Sequence, residues 1–340
     1  MMLSRTSSPT RSRTPRTFSP ETVEDGRTAY IPTRFLPLAT YAAQRALVGR
    51  PLLENLKLLI PADNTVRETR EILSVGRGNV KEDLIKNDYD SSRRTLAARR
   101  TLLDIKDEFI INPLESAHIG AALSAEARAG NCGEHTAIGL RVHANKLVEG
   151  QVVKSVASSK EDHTWAVQTH APGIAGPSIV IDPWSRGPAV MLRDASDVYR
   201  GQRKSTYIVS VNKAKKMQKG FEEAQFLAKE YEPAIQDHIK SIKNDNSRGI
   251  READTYSETE VTSPEFRRSA AESAKITTDL MTGKTPQAQH PKVDGPIYKL
   301  PALNMLLPVV VAARELNVSV KGAAAFAKMV IAKLVPSQEP

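Results

Sequence analysis

An α+β fold is what this sequence of 340 residues predicts, and three observations predict it. A helical apolar period begins just after Cys132, with Leu140, Ala144 and Leu147 in one stripe and Ala137 and Val148 beside it. Downstream, two short period-2 runs flank the turn-rich stretch Ala171-Pro172-Gly173-Ile174-Ala175-Gly176-Pro177, the signature of a β-hairpin. Long segments of helical pattern lie on either side. The expected architecture is therefore a helix packed on an antiparallel sheet, with helical extensions at both ends.

Taken in order, residues 1–35 are rich in Ser, Thr, Pro and Arg, with Glu21 the first acidic residue, and are expected to be disordered. They lack the apolar stretch of a secretory signal, and their prolines oppose an amphipathic presequence helix. Residues 36–117 read as a helical subdomain: Leu36 to Val48, Leu52 to Leu59, Val66 to Leu73, and the charged run Ser91 to Lys106. The core, 118–243, holds the helix from Cys132, the hairpin, a final strand around Tyr207-Ile208-Val209, and a helix from Lys213 to Lys243 that runs through Pro233. Residues 244–295, with Pro264, Pro286 and Pro291, are expected to be a flexible linker holding one short helix at Phe266 to Met281. Residues 296–340 are expected to form a C-terminal helical segment. Its apolar stretch Leu300 to Ala313 is short of the ~20 residues of a bilayer span.

Cys132 is the only cysteine, so no internal disulfide exists and a reducing environment suits the thiol. It stands in Gly130-Asn131-Cys132-Gly133-Glu134-His135, at a predicted helix N-terminus, where unpaired amides and the helix dipole favour an anion. Gly130 and Gly133 would leave room for a substrate carbonyl. The Cys132 backbone N–H is a natural oxyanion donor and Asn131 a weaker second one.

His163, in Asp162-His163-Thr164-Trp165, and Asp182, in Ile181-Asp182-Pro183-Trp184, follow in the order nucleophile, base, carboxylate. If Thr169 opposes Ser178, the antiparallel register sets Asp182 opposite Trp165 and diagonal to His163, roughly 7–8 Å apart at the backbone. Asp162 is the competing carboxylate, but adjacent strand residues point to opposite faces. Trp165 and Trp184, the only tryptophans, read as walls that exclude water or as ordinary core. Glu134 caps the helix start or steers substrate amines. His135 and His143 lack the i, i+4 spacing of a zinc pair, and neither metal nor cofactor is expected.

These residues resemble the transglutaminase-core superfamily: Asn-Cys-Gly-Glu entering a helix, Asp-His-x-Trp on a strand and Asp-Pro-Trp on the next. The layout is most similar to HopX/AvrPphE-type type III secreted effectors of plant-associated bacteria. The shared motifs span Ala129 to about Trp184. The resemblance implies a papain-like core, Cys132 as nucleophile, His163 as base, Asp182 as orienting carboxylate, and a thiol protease acting on a host protein. Transglutaminase or glutamine deamidase activity shares the same first step. A peptide N-glycanase-like hydrolase lacks its paired Cys-x-x-Cys motifs here, an arylamine N-acetyltransferase lacks its Arg-Gly-Gly-x-Cys lead-in, and an inactive interaction protein is the non-enzymatic alternative.

The resemblance further implies delivery into the host cytoplasm, with the bacterial secretion apparatus and a chaperone as candidate partners. The structureless start resembles a type III secretion signal, with a plastid-transit segment as the competing reading. Met1-Met2-Leu3 offers no glycine for myristoylation. The net charge of +9 is diffuse and carries no nucleic-acid motif, so no specific nucleic acid and only weak contact with anionic membranes are expected.

Overall fold

A computed structural model describes residues 36–52, 55–201, 203–245 and 247–282. The expected disordered start, the end of the expected linker and the C-terminal helical segment lie outside the described residues.

Two helices come first among the described residues, α1 (Leu36–Leu47) and α2 (Leu56–Ile72). The sequence predicts a break between Leu59 and Val66, yet α2 runs through Pro61, which removes only one amide donor and whose carbonyl accepts from Thr65 Oγ1 at 3.0 Å. Next come β1 (Gly76–Arg77), α3 (Lys81–Lys86), α4 (Asp90–Glu108), α5 (Pro113–Ala127) and β2 (Ala129–Gly130), then α6 (Cys132–Ala144). The remainder is β3 (Gln151–Ser158), β4 (Thr164–His170), β5 (Ile179–Ile181), β6 (Val190–Met191), α7 (Asp197–Arg200), β7 (Arg203–Ser210), α8 (Val211–Glu230), α9 (Glu232–Asn244) and α10 (Pro264–Thr282).

The main sheet has the order β6-β5-β4-β3-β7, with every neighbouring pair antiparallel. The molecule is thus α+β. Its central strand pair includes β3, which the sequence reading did not single out. Residues Gln151 to Ser158 are half polar, and their pairing with both β4 and β7 is what makes them a strand.

Two apolar clusters divide the interior. One joins α1, α2 and the sheet, around Tyr41, Leu59, Trp165 and Val180. The other joins α4, α5, α8 and α9, around Ala97, Leu123, Phe221 and Ile235. The expected boundary at 117/118 therefore does not divide the molecule. It falls inside α5, whose start is set by Asn112 Oδ1 accepting from the Leu114 and Glu115 amides, with Pro113 at the first turn. The long helix expected from Lys213 to Lys243 is two helices, because Pro233 falls in the first turn of α9, where its missing N–H costs nothing.

Helix α6 lies between the clusters, sending Leu140 and Ala144 into one and Ile138 into the other. Its buried polar residues are paired. His143 meets Thr65 Oγ1 through Nδ1 and Gln168 Oε1 through Nε2, both at 3.0 Å, and Thr136 donates to the Thr164 carbonyl at 2.9 Å. Arg141 donates to the Ala117 carbonyl at 2.7 Å. These bonds fix α6 against α2, β4 and α5, and so fix the residue at its start.

The segment expected to be a linker is a strap in its first part. Tyr256 N donates to the Asn79 carbonyl at 2.8 Å, Arg186 N to the Thr259 carbonyl at 2.7 Å, and Ser196 N to the Val261 carbonyl at 3.0 Å. Val261, Thr262 and Ser263 are buried, and α10 places Phe266 against Tyr41 of α1. Isolated bridges leave no apolar period in the sequence, which is why this stretch reads as a linker.

Candidate active site

Cys132 is the first residue of α6, with Asn131 as its N-cap. The thiol is half-buried, and space is open beside Gly133, where an added Cβ would meet nothing within 4 Å. Gly130 has a different role from the one the sequence suggested. A Cβ there would stand 2.5 Å from Glu134 Cβ, so its smallness admits Glu134 rather than a substrate.

Glu134 in turn accepts from the Asn131 N–H at 2.8 Å and takes a two-pronged contact from Arg99, with Nε to Oε1 at 2.9 Å and Nη2 to Oε2 at 3.1 Å. It is a capping residue with its charge already engaged. Asn131 Oδ1 is buried without a hydrogen bond.

His163 and Asp182 stand one residue outside their strands, at the start of β4 and the end of β5. Ala166 pairs with Ile181 and Gln168 with Ile179, the register that follows from setting Thr169 against Ser178. Extended by one pair, it puts Asp182 opposite Trp165 and diagonal to His163. The side chains close the gap: His163 Nε2 and Asp182 Oδ2 are 2.7 Å apart. With Asp182 accepting from Nε2–H, Nδ1 is left without a partner, buried, on the ring edge available to the thiol. Asp162 is engaged elsewhere, accepting from Tyr256 Oη at 3.2 Å.

Asp182 is almost fully buried and receives four donors. Oδ2 takes His163 and Tyr199 Oη at 2.6 Å, while Oδ1 takes the Trp184 amide at 2.9 Å and the Ser185 amide at 3.3 Å. Burial alone would raise its pKa, but the His163 charge and these hydrogen bonds hold it well below the usual carboxylate range. For His163, burial opposes the charged ring, yet Asp182 and then the nearby Cys132 raise its pKa to about 10. Tyr199 is pushed well above the ordinary phenol by burial and by Asp182, so it stays a donor.

Three aromatic rings enclose His163. Trp165 stacks on it at 5.5 Å, Trp184 tilts against it at 4.9 Å, and Tyr199 meets it edge-on at 5.8 Å. Trp184 is oriented by its own bond, Nε1 to Asn79 Oδ1 at 2.9 Å. Arg70 and Arg77 fasten the loop that carries Asp182 and Trp184, donating to the Pro183 and Trp184 carbonyls, each at 2.9 Å.

Sequence reasoning missed Tyr199, Ser185, Asn79 and Tyr256. None sits in a motif. Tyr199 comes from the four-residue α7, and Ser185 Oγ lies 2.7 Å from its hydroxyl. His135, beside the nucleophile, is buried and held neutral, its pKa pushed down to about 4 by burial, with its Nδ1 2.9 Å from the Asn131 carbonyl.

Compared with known proteins, the chain matches no family model, no curated protein and no solved structure. Among the described residues no group of His, Cys, Asp and Glu could hold a metal ion, and no helix is long and apolar enough to cross a membrane.

Proposed function

We propose that this chain is a cysteine-dependent acyl-transfer enzyme, a thiol protease acting on a host protein through Cys132, His163 and Asp182. We extend the proposal to a papain-like core of the HopX/AvrPphE type, delivered by a bacterial secretion system into the host cytoplasm. One observation carries it: His163 gives one ring nitrogen to a buried, fully hydrogen-bonded carboxylate and keeps the other, unpartnered, on the side of a thiol at a helix start.

In this reading His163 Nδ1 takes the proton from Cys132 Sγ, and the thiolate adds to the acyl carbon. The negative oxygen that forms faces the Cys132 amide and the first turn of α6, whose N–H groups have no intrahelical partners. His163 then protonates the leaving nitrogen, the C–N bond breaks and a thioester remains. Water attacks that thioester with the same ring as base. Asp182 stays ionised throughout and holds the imidazole in the tautomer that presents Nδ1. The rings of Trp165, Trp184 and Tyr199 keep water from the His163–Asp182 bond.

The test is mass spectrometry of candidate host proteins after incubation with wild type or Cys132→Ala. New peptide termini that need Cys132 support proteolysis. Deamidated glutamines or crosslinks would move the reading to a deamidase or a transglutaminase, and no Cys132-dependent product at all would overturn it.

A further inference from the structure

A cavity of about 600 Å³ opens on the His163 side of the site. Trp184, Tyr199 and Tyr256 supply its aromatic wall, and the buried His163 ring lines it too. Four carboxylates border it: Glu161, Asp162, Asp197 and Glu260. Two are already neutralised, Asp197 by Arg200 at 2.6 Å and Glu260 by Arg186 at 3.4 Å. The cavity's own arginine, Arg267, is turned onto the Thr262 carbonyl at 2.5 Å.

Glu161 and Asp162 remain. Both are exposed, neither forms an ion pair among the described residues, Asp162 accepts from Tyr256 Oη at 3.2 Å, and they directly precede His163 in the β3–β4 turn. That turn is held in shape, with Ser158 Oγ accepting from the Lys160 and Glu161 amides, each at 3.1 Å.

We infer that this cavity is a substrate subsite for a lysine or arginine side chain, its stem against Trp184 and Tyr256 and its charge between Glu161 and Asp162. The inference rests on the acyl-transfer reading above. A long cationic side chain is the one residue type that satisfies both features at once: its methylenes and charge suit aromatic faces, and its head meets two carboxylates that have no cation of their own. Because His163 lies on this wall and delivers the leaving-group proton, the side chain received belongs to the leaving-group half of the polypeptide. The site would thereby favour cleavage or transfer beside basic residues, and disfavour acidic ones by repulsion.

The test uses epoxysuccinyl amides of lysine and of norleucine, which share a stem and differ in charge. Cys132 Sγ bonds an epoxide carbon, the C–O bond breaks, and the alkoxide takes its proton from His163. Intact-mass measurement reads the rate at Cys132. The lysyl reagent should react about tenfold faster than the norleucyl one at low salt, and the ratio should fall toward one in Glu161→Gln/Asp162→Asn and in high salt. Equal rates in wild type, or a ratio that the two substitutions leave unchanged, would overturn the subsite. Iodoacetamide, small and uncharged, separates the two levels. A Cys132 no more reactive toward it than an ordinary free thiol would sink the acyl-transfer reading and the subsite with it, whereas a reactive Cys132 without charge preference sinks the subsite alone.

Discussion

Asp182 and Asp194 are near twins in different regions of the molecule. Each is 1 % exposed, and each accepts from a buried tyrosine at 2.6 Å and from a nitrogen base at 2.7 Å: Tyr199 and His163 for Asp182, Tyr41 and Arg45 for Asp194. Around Asp194 the cations are all guanidiniums, Arg45 with no access to solvent and Arg50 and Arg193 farther off at 3.7 and 4.0 Å, and Tyr41 also accepts from the Met191 amide at 3.0 Å. That cluster ties α1 to the sheet and can do nothing else, because an arginine does not release its proton in a protein. Around Asp182 the cation is an imidazole whose second nitrogen is unpartnered and whose ring borders a cavity and a thiol. A buried carboxylate with a tyrosine and a base is therefore not a site in itself. The titratable partner makes it one.

The sharpest way to break the comparison is to neutralise each carboxylate in turn. Asp182→Asn should lose turnover by a factor on the order of 10⁴, since the orienting charge that selects the His163 tautomer is gone. A variant that keeps wild-type kcat/KM would remove Asp182 from the mechanism. Asp194→Asn should act on folding instead. It strands Arg45 without its charge partner and should cost about 3–5 kcal/mol in a denaturant titration, with turnover per folded molecule unchanged. If the two substitutions had the same profile, the distinction between the regions would fail.

Tyr199→Phe tests whether the tyrosine at Asp182 positions rather than merely fills. Removing a hydrogen bond to a charged group should lower kcat/KM about tenfold. It should also move the acid limb of the pH profile upward, because Asp182 loses one of the donors that depress its pKa. A rate change with no shift of that limb would assign Tyr199 to packing alone.

The most gradual effect, spread over several pH units, comes from two buried histidines, one outside the site and one within it. His143 is buried and its pKa is pushed down to about 4, by burial first. The unfolded chain takes up this proton near pH 6.5 and the folded one only near 4, so stability falls as pH drops through that window, by at most about 1.4 kcal/mol per pH unit. His163 has the opposite sign. Raised to about 10, it adds stability that is full below about pH 6.5 and is lost as pH climbs toward 10. Thermal melts of His143→Gln should flatten on the acid side, and those of His163→Gln on the alkaline side. Melts parallel to wild type over both ranges would contradict the pairing described.

Several features were legible in the order of residues alone. Cys132 opens a helix because an apolar helical period follows it and Glu134, the third helical residue, accepts from the Asn131 amide, a local signal. His163 and Asp182 come together because the β4–β5 register pairs Ala166 with Ile181, and a slip of one residue would put their side chains on opposite faces. Asp162 is not excluded by strand alternation as expected, because β4 begins only at Thr164; Asp162 lies in the preceding turn and is engaged by Tyr256 of the strap.

Only the tertiary structure decided the rest. Pro61 inside α2 and Pro233 at the start of α9 are the same residue with opposite outcomes, set by which backbone donor each position needs. Tyr199, Asn79 and Tyr256 reach the site from a short helix, a loop and a strap held by single backbone bridges, none of which has a period to read. Local chemistry thus names the nucleophile, the base and the carboxylate. Their protonation, enclosure and charge surroundings come from residues up to 113 positions apart, whose meeting depends on which apolar surfaces can be buried together.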